Sequence, residues 1–525
     1  MHLPKYHELE EFHIRSKKLE DIRNLEVDPY PHSYQPDHST ATILQQYKDE
    51  PIGNSEDAAS GKTPLVKIAG RLVLFRPMGK NAFAHLQDET GRLQFMCNRE
   101  ETVVDGYDPA KSKEPLSHIK FIEKKIDLGD IVGVEGNLFR THTGEITLFA
   151  KKVTLLCKSL LPLPDKHGGL VDPELRYRKR WLDLLSNPES RERFIKRSQM
   201  VKIIRNFLQT AGFLEVETPI LQTTYGGAEA KPFKTNLLAL HQEMFLRISL
   251  ETTLKKLIVG GLQKVFEIGK VFRNEGIDKT HNPEFTLLEA YSAYWDYNDV
   301  LHFIESLVEE IALKLLGTCE IPFPNPEGGF HIINIRPPWT RMTMKESIRH
   351  YAKIDVDQMN DDQMRRHLLT EAKVDERAVK EAPRGILIAT LFDEFVSKKL
   401  ITPHHITDHP IETTPLCKLH REESAKKQGL VERFESFING TEICNAYTEL
   451  NDPVLQRKLL TEQEDKKIGK DEEAPLDEEF IEAICQGMPP TGGFGIGIDR
   501  LAIIFTEAKS IRDVIYFPLM KPEES

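Results

Sequence analysis

The dipeptide Asn439-Gly440, set between "VERFESFI" and "TEICNAYTEL", constrains the fold more than any other stretch of the chain. Both residues tolerate positive φ, which a tight two-residue turn requires, so the flanking runs read as an antiparallel hairpin. Folding about that turn sets Ile438 opposite Thr441 and Phe437 opposite Glu442, and makes Glu435 and Glu442 diagonal neighbours on one face. Two carboxylates so close resist joint ionisation unless a cation lies between them. Strict alternation then puts Asn445, Tyr447 and Glu449 on the face opposite Glu442. For both groups to serve one pocket, the hairpin needs a bulge, a strong twist or another register.

Other strands repeat the mixture of core and polar faces. In "KVFEIGKVFRNEG" (264–276), Phe266, Ile268 and Phe272 form an apolar side. Glu267, Gly269, Val271, Arg273 and Glu275 share the other. A guanidinium matches a phosphate or a carboxylate through paired hydrogen bonds, so Arg273 reads either as an anion binder or as the ion-pair partner of Glu275. Glu289 and Tyr291 share a face in "HNPEFTLLEAYSAY". In "PPTGGFGIGIDRLAIIF" (489–505), four glycines permit close backbone approach, and Asp499 is placed to cap a helix starting at Arg500. The parallel βαβ rhythm is missing, and so is a Gly-x-x-x-x-Gly-Lys-Ser/Thr loop. Any ATP would therefore bind on antiparallel strands, and the fold class is α+β.

Upstream, residues 65–158 have an all-β texture. Val66, Ile68, Leu72 and Leu74 keep one phase, and turns are expected near Glu89-Thr90-Gly91 and Thr143-Gly144. Five or so short strands in this span predict a small oligonucleotide-binding barrel. On it Phe83 is suited to stack a base, Gln94 to read a base edge and Arg71 to neutralise backbone, although each alone is ordinary strand furniture. Ahead of the barrel, 11–27 reads as an amphipathic helix carrying Arg15, Lys17, Lys18 and Arg23, either a solvated face or a polyanion contact. After it, "LPLPDKHGGLVDPELRYRKRWLDLL" (161–185) passes from a proline-marked linker into a basic helix with Arg176, Arg178, Lys179 and Arg180. Helices are expected at 191–211, 299–316 and 384–400, and 462–479 is a charged loop leading into a helix near Asp477.

Composition removes several classes. A net charge of −12 over 525 residues argues against a protein that coats nucleic acid nonspecifically, though not against a local basic patch. Six cysteines without a CxxC spacing give neither a disulfide framework nor a zinc cluster. His404, His405 and His409 lack the cysteine or carboxylate that would complete a zinc set. No apolar run approaches the ~18 residues of a membrane span, and the first residues lack a signal-peptide core. The expected location is the cytoplasm, with no membrane partner.

Taken together, the motifs resemble a class II lysyl-tRNA synthetase of the bacterial type along nearly the whole chain. The likeness is carried by "KKLEDIR", "GRLVLFRPMGKNAFAHLQDETGRLQ", "GFLEVETPIL" (212–221), "FRNEGIDKTHNPEFTLLEAY" (272–291), "FINGTEICNAYTELNDP" and "GFGIGIDRLAIIF" (493–505). It implies an N-terminal extension (1–64), an anticodon-binding five-stranded oligonucleotide-binding barrel (65–158) and a linker with a basic helix (159–190). An antiparallel catalytic sheet flanked by helices (191–525) follows, with 342–430 as an inserted or peripheral segment. It further implies a homodimer, with Pro219 at the interface, that joins L-lysine to lysine tRNA using ATP and Mg2+.

By resemblance, Arg273 and Arg500 are the catalytic arginines, on the α- and γ-phosphates respectively. Glu275, His281, Asn282 and Phe285 surround ATP, and Glu435 and Glu442 are the magnesium-linked acids. Gly227 and Glu251 meet the α-amino end of lysine, Asn445 and Arg273 its carboxylate, and Glu289, Tyr291, Tyr447 and Glu449 its side chain. Arg71, Phe83, Gln94 and Glu145 are the anticodon contacts. One departure stands out: "SLETT" (249–253) replaces the family's common Ala-Pro-Glu-Leu-Tyr around Glu251. Competing readings are a protein-lysylating paralogue, an aspartyl or asparaginyl synthetase, and a nonenzymatic RNA-binding scaffold. An acidic pocket favours lysine over an acid or amide side chain, because a desolvated ammonium needs acidic partners.

Overall fold

Alternating apolar residues roll the first part of the chain into a closed barrel. The computed structural model describes residues 5–111, 115–164, 170–324, 330–465 and 476–522. Residues 165–169 of the expected linker and 466–475 of the charged tract lie outside the described residues. Contacts divide the chain into Met1–Gly169 and Leu170–Ser525. In the first unit, β1 (Leu65–Met78), β2 (Asn81–Gln87), β3 (Arg92–Asn98), β4 (Ile131–Arg140) and β5 (Ile146–Cys157) run in the order β3-β2-β1-β4-β5. Parallel pairing of β3 with β5 closes the cylinder, with Gln94 opposite Thr147. Val66, Ile68 and Leu72 point into its core as the alternation predicts. The shared phase ends there: a bulge between Leu72 and Leu74 leaves Leu74 half-buried, and Phe75 packs against the core instead.

The helix before the barrel spans Glu10–Asn24. Arg15 on it is buried, bonded to Glu11 and to the carbonyl of Leu128, so this cation is structural and not a polyanion contact. The expected continuous basic helix is two short ones, Pro173–Arg178 and Arg180–Ser186, broken at Lys179. Arg180 is likewise turned inward, paired with Asp183 at 2.6 Å and capping the carbonyls of Arg512 and Tyr516.

The second unit is built on one eight-stranded sheet. Its strands are β6 (Leu214–Glu215), β7 (Lys264–Phe272), β8 (Glu284–Ala293), β9 (Thr340–Thr343), β10 (His404–Pro410), β11 (Leu430–Ile438), β12 (Thr441–Thr448) and β13 (Thr491–Gly497). They lie in the order β9-β10-β11-β12-β13-β8-β7-β6, antiparallel except at the two edges. Helices α1 (Glu251–Val259), α2 (Tyr297–Leu316) and α3 (Ile498–Phe505) accompany the sheet. A capping box of Asp296 and Asp299 starts α2, and Gly317, at φ 74°, ends it. Its residues Ile304, Leu307, Val308 and Ile311 pack on the sheet with Leu288, Ala290, Phe434, Ala446, Phe494 and Ile496. The segment 342–430 carries a core of its own around Leu387, Leu391 and Phe392, yet it also supplies β10 to the main sheet. His404, His405 and His409 of that segment are held by hydrogen bonds, to Tyr351, Ser436 and the carbonyl of Ile406 respectively.

The hairpin at Asn439-Gly440 forms, with φ of 52° and 67°. Ile438 faces Thr441 and Phe437 faces Glu442, but the register then shifts, so that Ser436 faces Cys444 and Glu435 faces Asn445. Ile443 is the extra residue. This bulge turns Asn445 and Tyr447 onto the face of Glu442 and Glu435, while Cys444, Ala446 and Phe434 enter the core.

Candidate active site

Pairing across the sheet turns alternation into a trough. Asn445 and Tyr447 of β12 face Gly495 and Gly493 of β13, which in turn face Glu289 and Tyr291 of β8. The middle strand thus has no side chains on this face, while Phe494 and Ile496 fill the opposite one. The result is a cavity of about 470 Å³ lined by every residue that the sequence places around lysine or ATP. Gly493 is indispensable to its shape: a Cβ there would lie 2.0 Å from Glu449 Oε1 and 2.5 Å from the Tyr291 ring.

One end of the cavity is acidic and buried. Glu251, Glu289 and Glu449 are all buried there. Among the described residues their company is a single ammonium, Lys255, one helical turn after Glu251. It lies 2.5 Å from Glu251 Oε1, pairs with Glu449, and is fully buried among the rings of Tyr447, Phe480 and Tyr291. Burial opposes its charge, but Glu251 and Glu449 hold Lys255 protonated beyond the ordinary lysine range. Tyr447 donates to Glu251 at 2.6 Å and Tyr291 to Glu289 at 3.0 Å. No hydrogen-bond donor among the described residues reaches Glu449 Oε1. Burial and then the field of Glu251 push the Glu289 carboxyl up to about 7, against the donors Leu250 N–H, Ser249 and Tyr291. Burial also raises Glu449, with Lys255 opposing. Three carboxylates around one cation leave this end short of positive charge. Gly227, at φ 83°, borders it where a Cβ would press on Ser249 Oγ and Glu251 Cβ.

The other end carries guanidinium groups. Arg273 lies just past β7, its Nε donating to the carbonyl of Ile248 and its guanidinium 5.2 Å from the centre of the Phe285 ring. Arg500, in the first turn of α3, donates to Glu442 at 2.9 Å, and Arg433 donates to Glu435 at 2.6 Å and to Asn445 at 2.9 Å. Each of these two acids is therefore matched by an arginine. Among the described residues no three metal-binding side chains converge on a point. Asn282 is buried with its Oδ1 unpartnered, whereas Glu275 and His281 are exposed, His281 bonded to Asp278 at 2.8 Å.

In the barrel, Phe83 and His85 of β2 face Met96 and Gln94 of β3, and Arg71 of β1 faces Gln87 of β2, so Arg71, Phe83 and Gln94 share the outer face. Glu145 Oε2 accepts from Gln94 Nε2 and Thr147 donates to Gln94 Oε1, both at 2.9 Å, which fixes the amide's orientation. Arg71 donates to the carbonyl of Gly129 at 2.6 Å.

The chain matches known proteins along almost its full length. Residues 172–521 match the family model for class II tRNA synthetases (D, K and N), and residues 66–156 match that for an OB-fold nucleic acid binding domain. The chain is 56% identical to a lysine–tRNA ligase of Chlamydia caviae over 519 residues, 98% of either chain. It is 54% identical to the Chlamydia felis lysine–tRNA ligase, with 99% of this chain and 98% of that one aligned. Identity to a Methanosarcina mazei protein named lysine–tRNA ligase 2 is 44%, over 97% and 93% of the two chains. The chain belongs to the class II lysine–tRNA ligase family. That membership and the α+β architecture, barrel first and antiparallel sheet second, are as the motifs imply.

Three features of this family member's site escape a reading by motif. Lys255 is the i+4 partner of Glu251 on one helix face. Arg433 shares a strand face with Glu435 two residues later. Ser249, which bonds Glu289 at 2.8 Å, lies in the departing "SLETT" stretch. Asp499 is not the expected cap. Gly497 occupies that position, and the buried Asp499 carboxylate accepts from Arg197 at 2.6 Å and from the Thr286 N–H at 2.7 Å, tying α3 to β8. Glu267, on the cavity side of β7, is taken up by Arg247 at 2.6 Å.

Proposed function

We propose that the acidic end of the cavity takes the side-chain ammonium of L-lysine and that the arginine end takes ATP, so that the chain forms lysyl-adenylate and passes the lysyl group to lysine tRNA. The observation that carries this is the buried Glu449 carboxylate beside Glu289 and Tyr291, whose Oε1 has no hydrogen-bond partner and whose one ion pair among the described residues is with Lys255. A buried carboxylate without enough positive partners calls for a cationic ligand. An aspartate side chain would add to the excess of negative charge, and asparagine would leave it unmet. Glu251 and Gly227 border the place of the α-amino group, with Asn445 and Arg273 on the carboxylate.

In the first step a lysine carboxylate oxygen bonds to the α-phosphorus while the bond to the β-phosphate oxygen breaks, releasing pyrophosphate. Arg273 stabilises charge growing on the α-phosphoryl oxygens, and Arg500 exchanges Glu442 for the γ-phosphate. Phe285 offers a ring for adenine, with Glu275, His281 and Asn282 around the nucleotide. No protein nucleophile is needed, since alignment and electrostatics lower the barrier. The terminal ribose hydroxyl of the tRNA then attacks the adenylate carbonyl, and AMP leaves.

Glu435 and Glu442 suit Mg2+, which takes one or two carboxylates and completes its shell with phosphate oxygens and water. The two carboxylates share the arginine end of the cavity, held there by Arg433 and Arg500. Bound there, magnesium would neutralise phosphate charge and orient the leaving pyrophosphate. The outer barrel face, with Arg71, Phe83, Gln94 and Glu145, is read as the anticodon platform. A homodimer is supported by the exposed Leu214, Ile220 and Leu221 beside Pro219, and the cytoplasm is the location of such a reaction. Glu449→Gln tests the pocket. Lysine KM in ATP–pyrophosphate exchange should rise about 100-fold or more, the cost of breaking a desolvated charge pair. An unchanged KM would overturn the assignment.

A further inference from the structure

We propose that Ser249 and Leu250 are positioning residues for lysine recognition: the Ser249 hydroxyl and the Leu250 backbone N–H, both on Oε1 of Glu289, fix that carboxylate for the substrate ammonium. The inference rests on the reading of Glu289 as a lysine-binding group. Ser249 Oγ donates at 2.8 Å and Leu250 N at 3.2 Å, while Tyr291 occupies Oε2 at 3.0 Å. A carboxylate offers about four acceptor positions, so three are filled by protein and one is left for the cavity. The same Ser249 hydroxyl accepts the Glu251 N–H at 3.1 Å, joining the two acids that border the pocket. Both residues are buried, and Gly227 makes room for the hydroxyl, since a Cβ there would come within 2.9 Å of it.

The pair is a property of this sequence. A proline at 250 would have no N–H and an alanine at 249 no hydroxyl, so the Ala-Pro of the related pattern can supply neither bond. The groups facing Glu289 are Glu251 and Lys255 of α1, Tyr447 of β12 with Glu449 just beyond it, Tyr291 of its own strand, Arg273 past β7, and the Glu267–Arg247 pair opposite on β7. Facing β13 contributes only glycine. With burial first and then the charge of Glu251 disfavouring its ionised form, Glu289 depends on these donors to stay ionised near neutrality. Removing either donor therefore moves the loss of lysine binding to higher pH.

The test is lysine KM and kcat in ATP–pyrophosphate exchange between pH 6 and 9 for the full chain and for Ser249→Ala, Leu250→Pro, Leu250→Ala and Glu289→Gln. Ser249→Ala should raise KM roughly ten-fold at pH 7, the worth of one hydrogen bond to a charged group, with kcat held and the acid limb displaced upward. Leu250→Pro should displace the limb likewise. Leu250→Ala loses the same buried side chain but keeps the N–H, and should leave the limb in place, which separates the donor from packing. Superimposable profiles for wild type, Ser249→Ala and Leu250→Pro would overturn the inference, as would equal shifts for Leu250→Ala and Leu250→Pro. If those variants are silent while Glu289→Gln collapses lysine recognition, the pocket stands and only the positioning role falls. If Glu289→Gln itself leaves KM and its profile untouched, the pocket reading falls and takes this inference with it.

Discussion

Glu289 is the residue on which lysine recognition should depend most visibly. Burial and the charge of Glu251 raise its carboxyl to about 7, and a bound ammonium favours the ionised form. Binding is therefore strongest above that pH and is lost as pH falls through it. Lysine KM in the exchange reaction should rise about ten-fold for each unit below roughly pH 6.5, with the ATP KM much less affected. Gly493 is the second decisive residue. Gly493→Ala puts a methyl into the space of Glu449 Oε1 and the Tyr291 ring, and the displaced carboxylate should lower kcat/KM for lysine by about 100-fold. Near-normal lysine kinetics in that variant would mean Glu449 does not face the substrate.

The hairpin is the element that assembles the site, because its turn and its bulge set which face each acid takes. Gly440 sits at φ 67° with the Lys398 backbone 3.0 Å from a virtual Cβ. Gly440→Val should lower stability by about 1–3 kcal/mol and weaken magnesium-dependent exchange, as read by thermal melting and by the magnesium titration. The turn was legible in Asn-Gly, as were the glycine face of β13 and the core positions Phe266 and Ile268 of β7, because each follows from local residue type and period; Phe272, on the same phase, is only half-buried and joins no core. The bulge was not legible. Ile443 is apolar and so is compatible with either phase, and only tertiary packing decides that it enters the core. Asp499 misled for the same reason: a carboxylate beside a helix start looks like a cap, while its partner Arg197 lies some 300 residues earlier in the chain. Lys255 was hidden by composition, since a lysine in an i+4 pair is ordinarily solvent-exposed, and here it is fully buried.

Across the whole molecule, the chemistry belongs to the second unit and the expected tRNA readout to the barrel. Gln94→Ala should raise the KM for lysine tRNA by roughly ten-fold or more, the price of a lost base-edge contact, and leave ATP–pyrophosphate exchange unchanged. An equal effect on both reactions would point to a folding defect rather than to lost RNA contact. The family was legible from motifs spread over nearly the full length, whereas the substrate rests on a few charged side chains at one end of one cavity. The most direct test of that claim is ATP–pyrophosphate exchange by the purified chain with magnesium, run separately with each standard amino acid. Exchange with lysine alone is the predicted result; exchange with aspartate or asparagine in its place, or with none of them, would contradict it.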